Sequence, residues 1–342
     1  MQATTHPRGP CYVGSLVRLK IFFHDNCFDG ATSAALFADF YRARHPAAEV
    51  ALEGVQHRRG DPFAGLALDG DENACVDFRF SPDPRMNWWF DHHVSAFQPV
   101  ELRALFEQDD GGQKFYDPGA PSCALFLHQT LSERFGFLPS DPHGTWAELV
   151  SWANIIDSAR FDSARTAVEL AHPALRVMTW LEHNREPALT HRLIGELGQR
   201  PLAEIVDEPW ISGPLIPLLD EHLRHVDIIH NRAVRDGDVV FFDLADDAIL
   251  AHNKFIAYML FPDTMYTVGL TRGPERAKVS VGSNPWGPRP RTHNIAAICE
   301  RYGGGGHPVV GAVSLAAPQL DRAREIAREI VAELRQPAVS VP

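Results

Sequence analysis

From its amino end the chain alternates short, unbroken apolar runs with longer stretches of helical period. LVRLKIFFH, ending at His24, reads as a buried strand, and ATSAALFADFYRARH as the helix that follows. NACVDFRF (73–80) and MNWWFDHH (86–93) are further short apolar runs that end in charge. Such runs, closed by polar residues and followed by helical stretches, predict a parallel sheet covered by helices. Functional groups in these sheets gather at the carboxyl ends of the strands, and Asp29, Asp77 and Asp91 all fall just past the apolar runs. PSCALFLHQTLSERFG predicts a helix with Ser122 as its N-cap, and TWAELVSWANIIDSARF an amphipathic helix that delivers Asp157.

From about 165 to 235 the pattern is helical and charged, without motifs. After the turn-like RDGD at 235–238, strand signals return in VVFFDLA, MYTVGLTR and AKVSVGS. A helix (THNIAAICERY), a glycine run (GGGGH), a last strand (VVGAVSL) and a closing helix (DRAREIAREIVAELR) follow. The predicted architecture is α/β: a parallel-sheet domain over 15–195, a helical connecting segment over 196–236, and a smaller mixed α/β domain over 237–337.

Composition narrows the function more than the fold. At 342 residues the chain exceeds what one core usually holds, and 45% hydrophobic with 22% charged residues describes an ordinary globular protein. No apolar run approaches the roughly 18 residues needed to span a bilayer, and the first residues read as a ragged arm, not a signal peptide. The five cysteines, Cys11, Cys27, Cys75, Cys123 and Cys299, are widely spaced without a CxxC, which points to a reducing compartment and the cytoplasm. A formal net charge of -12 argues against a long duplex as partner, because a protein tracking a polyanion carries a basic face. An acidic protein handles phosphate when a metal supplies the positive charge, and seventeen histidines direct attention to metal ligands.

The strongest chemical signal is Asp91-His92-His93 directly after an apolar run. Alone, the tripeptide reads as well as a polar loop. Three adjacent metal-capable side chains cannot all crowd one ion, so His92 is the candidate ligand, with Asp91 and His93 orienting ligands or meeting substrate. HDNCFDGATSA adds His24 and Asp29, the second run ends in Asp77, and a helix brings Asp157. This mixture of imidazole and carboxylate suits Mn²⁺, with Zn²⁺ the next choice. A carboxylate bridging two ions suits two-metal phosphoryl chemistry. In GGGGH, glycines let backbone N–H groups approach a phosphate, and His307 follows them directly; the blander reading is a flexible turn.

Taken in order, these motifs make the chain resemble the DHH superfamily of phosphoesterases, in the branch of nanoRNases, cyclic-dinucleotide phosphodiesterases and pAp phosphatases. HDNCFDGATSAA is similar to the family's first motif, VDF to its second, DHH to its third and IID to its fourth. RYGGGGHPVVGAV is similar to the glycine-rich motif of the associated C-terminal domain. The resemblance implies a parallel-sheet catalytic domain joined to a smaller substrate-binding domain, with the active site in the cleft between them. It implies His24 on a first metal, Asp29 on a second, Asp77 bridging, and His92 and Asp157 completing the second metal's shell. Asp91 and His93 would be the catalytic, substrate-facing pair, and Gly304, Gly305, Gly306 and His307 would hold the far end of the substrate.

Two departures stand out. Where most of the family has an aspartate in the first motif this chain has Cys27, a pattern similar to the H-x-x-C-x-D-G branch. Cys27 ligating as a thiolate, Asp25 replacing it, and Cys27 merely packing are all open. In place of the S-x-R-S segment stands VSVGSNPW, so Asn284, Arg289 and Arg291 become the alternatives for gripping phosphate. Trp286 reads as a base-stacking ring or as a packed one, and Trp88 and Trp89 as sheet core. The implied reaction is metal-dependent hydrolysis of short single-stranded oligonucleotides of two to five nucleotides, using one or two Mn²⁺ ions, or Zn²⁺, Mg²⁺ or Co²⁺. Rival substrates are cyclic di-AMP, pApA and pAp. A non-catalytic nucleotide-binding regulator is the alternative of a different class, and a homodimer is compatible with domains of this type.

Overall fold

Each apolar run becomes a strand in a computed structural model, which describes residues 17–58 and 60–336. The amino-terminal arm with Cys11 lies outside the described residues. The described residues divide into two units: those up to 160 with 173–211, and 161–172 with those from 212 onward.

The first unit holds β1 (Arg18–His24), β2 (Glu49–Val55), β3 (Glu72–Val76), β4 (Met86–Asp91) and β5 (Lys114–Tyr116). They form one parallel sheet in the order β2-β1-β3-β4-β5. Chain order reverses between β1 and β3, the switch point where ligands bind in open α/β sheets. Register does the rest. Phe23 pairs with Val76 and Val76 with Phe90, so His24, Asp77 and Asp91 emerge side by side from the same end of the sheet.

Both faces of this sheet are covered. Helix α1 (Phe28–Arg44) is buried along most of its length. Its Phe37 and Phe40 meet the Trp88 ring, at 5.5 and 5.7 Å between centroids. The next residue along the pleat, Trp89, points to the opposite face, against Phe80 and Phe97. Both tryptophans are core, 4% and 0% exposed. Helices α2 (Leu102–Glu107), α3 (Cys123–Phe135), α4 (Thr145–Asp157), α6 (Pro173–His183), α7 (Pro187–Glu196) and α8 (Leu202–Asp207) complete the unit, while α5 (Ala164–Glu169) belongs to the other. Ser122 caps α3 as its sequence predicts, its hydroxyl accepting from the Leu125 N–H.

Helix α9 (Pro209–Arg232) begins in the first unit and lies mostly in the second. There β6 (Val234–Asp236), β7 (Val239–Asp243), β8 (Tyr266–Arg272), β9 (Arg276–Ser283), β10 (Gly305–His307) and β11 (Val310–Ala316) form a mixed sheet ordered β10-β11-β9-β8-β7-β6. Only β7 and β8 run parallel among these pairs. Helices α10 (Ile256–Leu260), α11 (Ile295–Glu300) and α12 (Leu320–Leu334), with a 3₁₀ turn over Ala317–Gln319, complete it. Ile326, Ile330 and Leu334 of α12 close one core with Val268, Val279 and Val313 of the sheet. Among the described residues no helix is long and apolar enough to cross a membrane.

Candidate metal centre

His24 is the last residue of β1, Asp77 follows β3, and Asp91 ends β4 with His92 and His93 beyond it. The chain must turn sharply at two of these ends. Asn26 and Asp77 both adopt left-handed backbone, at φ 56° and 57°, a conformation that side-chain-bearing residues take rarely. At Asp77 the hydrogen bond from its N–H to the Phe90 carbonyl, at 2.9 Å, holds that turn. Gly30 lets α1 start close beneath β1, since a Cβ there would lie 2.2 Å from the His24 carbonyl oxygen.

The side chains converge in three groups that share members: His24, Cys27 and Asp77; Asp77, His92 and His93; Asp29, His92 and Asp157. Asp77 is fully buried and central. Its Oδ2 lies 3.3 Å from His24 Nδ1 and 3.6 Å from Cys27 Sγ, and its Oδ1 lies 3.6 Å from His92 Nε2. His92 Nε2 is also 3.4 Å from Asp157 Oδ2 and 3.8 Å from Asp29 Oδ2. Most of these spacings are too long for hydrogen bonds and right for atoms arranged around a common ion.

Outer contacts fix the direction of each side chain. His92 Nδ1 meets the Ala120 carbonyl at 2.9 Å, so a proton belongs there and Nε2 faces the cluster. Asp91 Oδ1 accepts from the His92 and His93 N–H groups and from His93 Nδ1, the last at 2.7 Å. Asp91 therefore orients and does not converge. Asp29 works twice, because its carboxylate also accepts the Cys123 and Ala124 N–H groups at the start of α3, at 2.6 and 2.8 Å. Asp25 turns away, accepting from Gln56 Nε2 at 3.1 Å, and stands in none of the three groups.

Electrostatics show what the cluster needs. Burial, then the neighbouring Asp77, pushes the Asp29 and Asp157 carboxyls up, and burial also raises Asp91. Burial works against ionised Asp77, yet the neighbouring His24 and His92 imidazoles hold its carboxyl far below the usual range. His92 shows the same balance: burial lowers it, but Asp77 and the Ala120 carbonyl carry it up to about 10. A proton on His92 thus offsets part of the carboxylate charge. Burial and then Asp77 raise the Cys27 thiol for the same reason. His24 Nδ1, Asp77 Oδ1, Asp91 Oδ2 and His92 Nε2 are all buried without a hydrogen-bond partner. Buried polar atoms are rarely left so, and those of His24, Asp77 and His92, imidazole and carboxylate together, fit a divalent cation.

In the second unit, the residues singled out in the sequence are mostly engaged already. Asn284 is buried and donates to the Pro262 and Thr264 carbonyls at 3.1 and 2.9 Å while accepting from the Trp286 N–H. Arg289 pairs with Asp238, and Arg291 donates to the His293 carbonyl. Trp286 is packed: its indole N–H meets the Phe161 carbonyl at 2.9 Å and its ring lies edge-on to Phe255. In the glycine run, a Cβ on Gly304 or Gly306 would lie 2.2 or 2.3 Å from a carbonyl oxygen of β11, whereas one on Gly305 meets nothing. His307 is exposed on the edge strand.

One group near the centre escaped sequence reasoning. His57, just past β2, stacks on Phe78 at 4.7 Å between centroids and stands 5.0 Å from the His24 ring. Partial burial, then His24 and Arg79, pushes it down to about 4, so the ring is neutral near pH 7. The signal was β2 itself, whose run EVALEGV mixes charge with apolar residues because it is an edge strand.

No family model and no curated protein matches the chain. Among solved structures it is similar to the pGpG-specific phosphodiesterase PggH from Vibrio cholerae, with TM-score 0.68 at 20% identity over 92% of this chain and 99% of that one. An exopolyphosphatase-related protein from Bacteroides fragilis gives TM-score 0.49 at 12% identity over 94% of each chain. RecJ from Thermus thermophilus, in complex with Mn²⁺, gives 0.49 at 13% over 95% of this chain and 53% of that one. The first likeness runs through both units' sequence, from the parallel sheet to the mixed one. The chain shares its fold with this pGpG-specific phosphodiesterase.

Proposed function

We propose that the chain is a metal-dependent phosphoesterase that cleaves the phosphodiester of short 5'-phosphorylated oligonucleotides, dinucleotides first among them. The observation that carries this is the buried Asp77 carboxylate, common to two of the groups, in which His24 Nδ1, Asp77 Oδ1 and His92 Nε2 have no hydrogen-bond partner. His24, Cys27 and Asp77 would hold one ion, and Asp29, His92 and Asp157 a second, with Asp77 common to both. Divalent ions held there supply Lewis acidity to phosphate oxygens and lower the pKa of water. The chain's own part is positioning. Asp91 locks the His93 ring through Nδ1, which leaves Nε2 to hold or deliver a proton at the substrate. In the second unit, Gly305 and exposed His307 are the groups we assign to nucleotide contact. Mn²⁺ suits the donor set, and Cys27 as a thiolate ligand would favour Zn²⁺ or Co²⁺ at the first position. The likeness to a pGpG-specific phosphodiesterase supports testing dinucleotides first. The four described cysteines are free, in keeping with a cytoplasmic setting.

The test is hydrolysis of a 5'-labelled RNA ladder of two to twenty-four nucleotides, with pGpG, pApA, cyclic di-AMP and pAp alongside. It is run in Mn²⁺, Mg²⁺ and chelator, with the double variant Asp91→Ala, His92→Ala as blank. Metal-dependent loss of the shortest species, absent from the blank, is the expected result. Tight nucleotide binding without turnover under any metal would replace this reading with that of a binding protein.

A further inference from the structure

A cavity of about 890 Å³ opens in the first unit beside the metal centre, between the loop after β2 and the segments around Phe80 and Pro99. That volume is in the range of pockets that hold small organic ligands. His57, Arg58, Arg79 and Gln98 line it, with Phe80 and Leu102 among its apolar walls. His57 belongs to both places, since its ring stands 5.0 Å from that of His24.

The two arginines differ. Arg58 is spent on its own loop, with Nε on the Asp61 carbonyl at 3.2 Å and Nη2 on the Ala64 carbonyl at 2.5 Å. Arg79 is not. Its Nε is buried without a hydrogen-bond partner, and it makes no ion pair among the described residues. Its backbone is pinned on both sides: the Phe78 carbonyl accepts from the Trp89 indole at 2.8 Å, and the Phe80 N–H donates to the Ala96 carbonyl at 3.0 Å. A rigidly rooted guanidinium that lines the cavity and has no side-chain partner among the described residues is a group prepared for an anionic or carbonyl acceptor from outside. Asp61 also lines the wall, but its Oδ1 is taken by the Phe63 N–H. In a chain of net charge -12 this is a locally cationic, partly aromatic recess next to a phosphoryl-handling centre.

We propose that this cavity seats one nucleoside unit of the substrate, on one side of the phosphate held by the metal centre, with Arg79 donating to that unit's oxygen and the His57 ring flanking its base. This rests on the phosphoesterase reading of the centre. Arg79 is then a specificity-determining residue, acting on nucleotides and indifferent to small diesters.

The test compares the full chain with Arg79→Ala, Arg79→Lys and Leu102→Trp, the last filling the cavity without touching Arg79. Substrates are pGpG and pApA against methyl p-nitrophenyl phosphate, whose arms carry no nucleoside, all in Mn²⁺. We expect KM for the dinucleotides to rise at least tenfold in Arg79→Ala and Leu102→Trp and less in Arg79→Lys, while turnover of the small diester stays within twofold. Unchanged dinucleotide kinetics in both Arg79→Ala and Leu102→Trp would overturn the inference. So would an equal fall on both kinds of substrate, which would place the damage in the fold or the metal centre. A wild-type chain that hydrolyses neither kind defeats the phosphoesterase reading itself, an outcome distinct from the other two.

Discussion

The two sheets of this protein treat their polar groups in opposite ways. At the carboxyl end of the parallel sheet, buried imidazole and carboxylate atoms point at one another without hydrogen bonds. In the mixed sheet's unit, the described buried atoms without partners are Asp247 Oδ2 and His252 Nδ1, and its conspicuous polar residues are tied up internally. Leaving a buried polar group unmatched costs about 1–3 kcal/mol each, so a fold keeps several together only where something else completes them. In the first unit such atoms gather at one sheet end, where a divalent ion would complete them, whereas in the second, among the described residues, only those two stand.

The widest separation between the two should come from matched truncations. Asp77→Ala should remove stoichiometric metal, read by elemental analysis, and lower kcat/KM at least about 10³-fold, equivalent to about 4 kcal/mol. Asn284→Ala should leave metal content unchanged and lower unfolding stability by about 1–3 kcal/mol, since it strips two carbonyls of their donor. Equal metal loss in both variants would erase the distinction.

Within the glycine run the same contrast narrows to neighbours. Gly304→Ala drives a Cβ into the Ala312 carbonyl at 2.2 Å, and backbone must move; a loss of about 3 kcal/mol is expected in denaturant titration. Gly305→Ala meets nothing and should cost less than about 0.5 kcal/mol. If Gly305 is where nucleotide approaches, its alanine variant should raise KM several-fold with unchanged melting. Unchanged KM would leave the run a purely structural device.

Cys27 tests whether a sulfur ligand belongs to the first unit's centre. With Sγ 3.6 Å from Asp77 Oδ2 and in one group with His24, a thiolate ligand should give a sulfur-to-cobalt charge-transfer band in the Co²⁺-loaded protein. Cys27→Ser should abolish the band and shift preference from Zn²⁺ toward Mn²⁺ by about tenfold. An identical spectrum in the variant would make Cys27 packing only.

What the sequence disclosed follows from the same contrast. The parallel strands were legible because burial on both faces leaves unbroken apolar runs such as KIFF and NWWF, and the metal-capable residues because they sit where those runs stop. Edge strands were not. β2 and the three-residue β5 carry mixed polarity, so His57 beyond β2 had no frame to place it. Asp25 and Cys27 could not be separated by spacing, because the turn at Asn26 decides which one faces Asp77. Asn284 was legible as a polar residue in a loop, but its hydrogen bonds reach back twenty residues and more, beyond what local pattern carries.

A last expected effect separates the two units by the sign of a histidine. In the first, carboxylates carry His92 up to about 10. In the second, burial, with the charges of His225 and Lys278, pushes His252 down to about 4, and its ring packs edge-on to Phe242. An unfolded histidine titrates near 6.5, so between about pH 6.5 and 4 the unfolded chain binds the extra proton. The stability associated with neutral His252 is therefore complete above about pH 6.5, lost progressively toward about pH 4, and flat below it. Because the ring is partly exposed, the loss should be only about 1–2 kcal/mol, well under the full value of the shift. His252→Leu should remove that part of the slope, seen as a smaller difference in stability between about pH 7 and about pH 5 than the wild type shows. Backbone hydrogen exchange over 249–260 would locate it in the second unit. An unchanged slope in the variant would mean that His252 takes its proton in the folded state as readily as in the unfolded one.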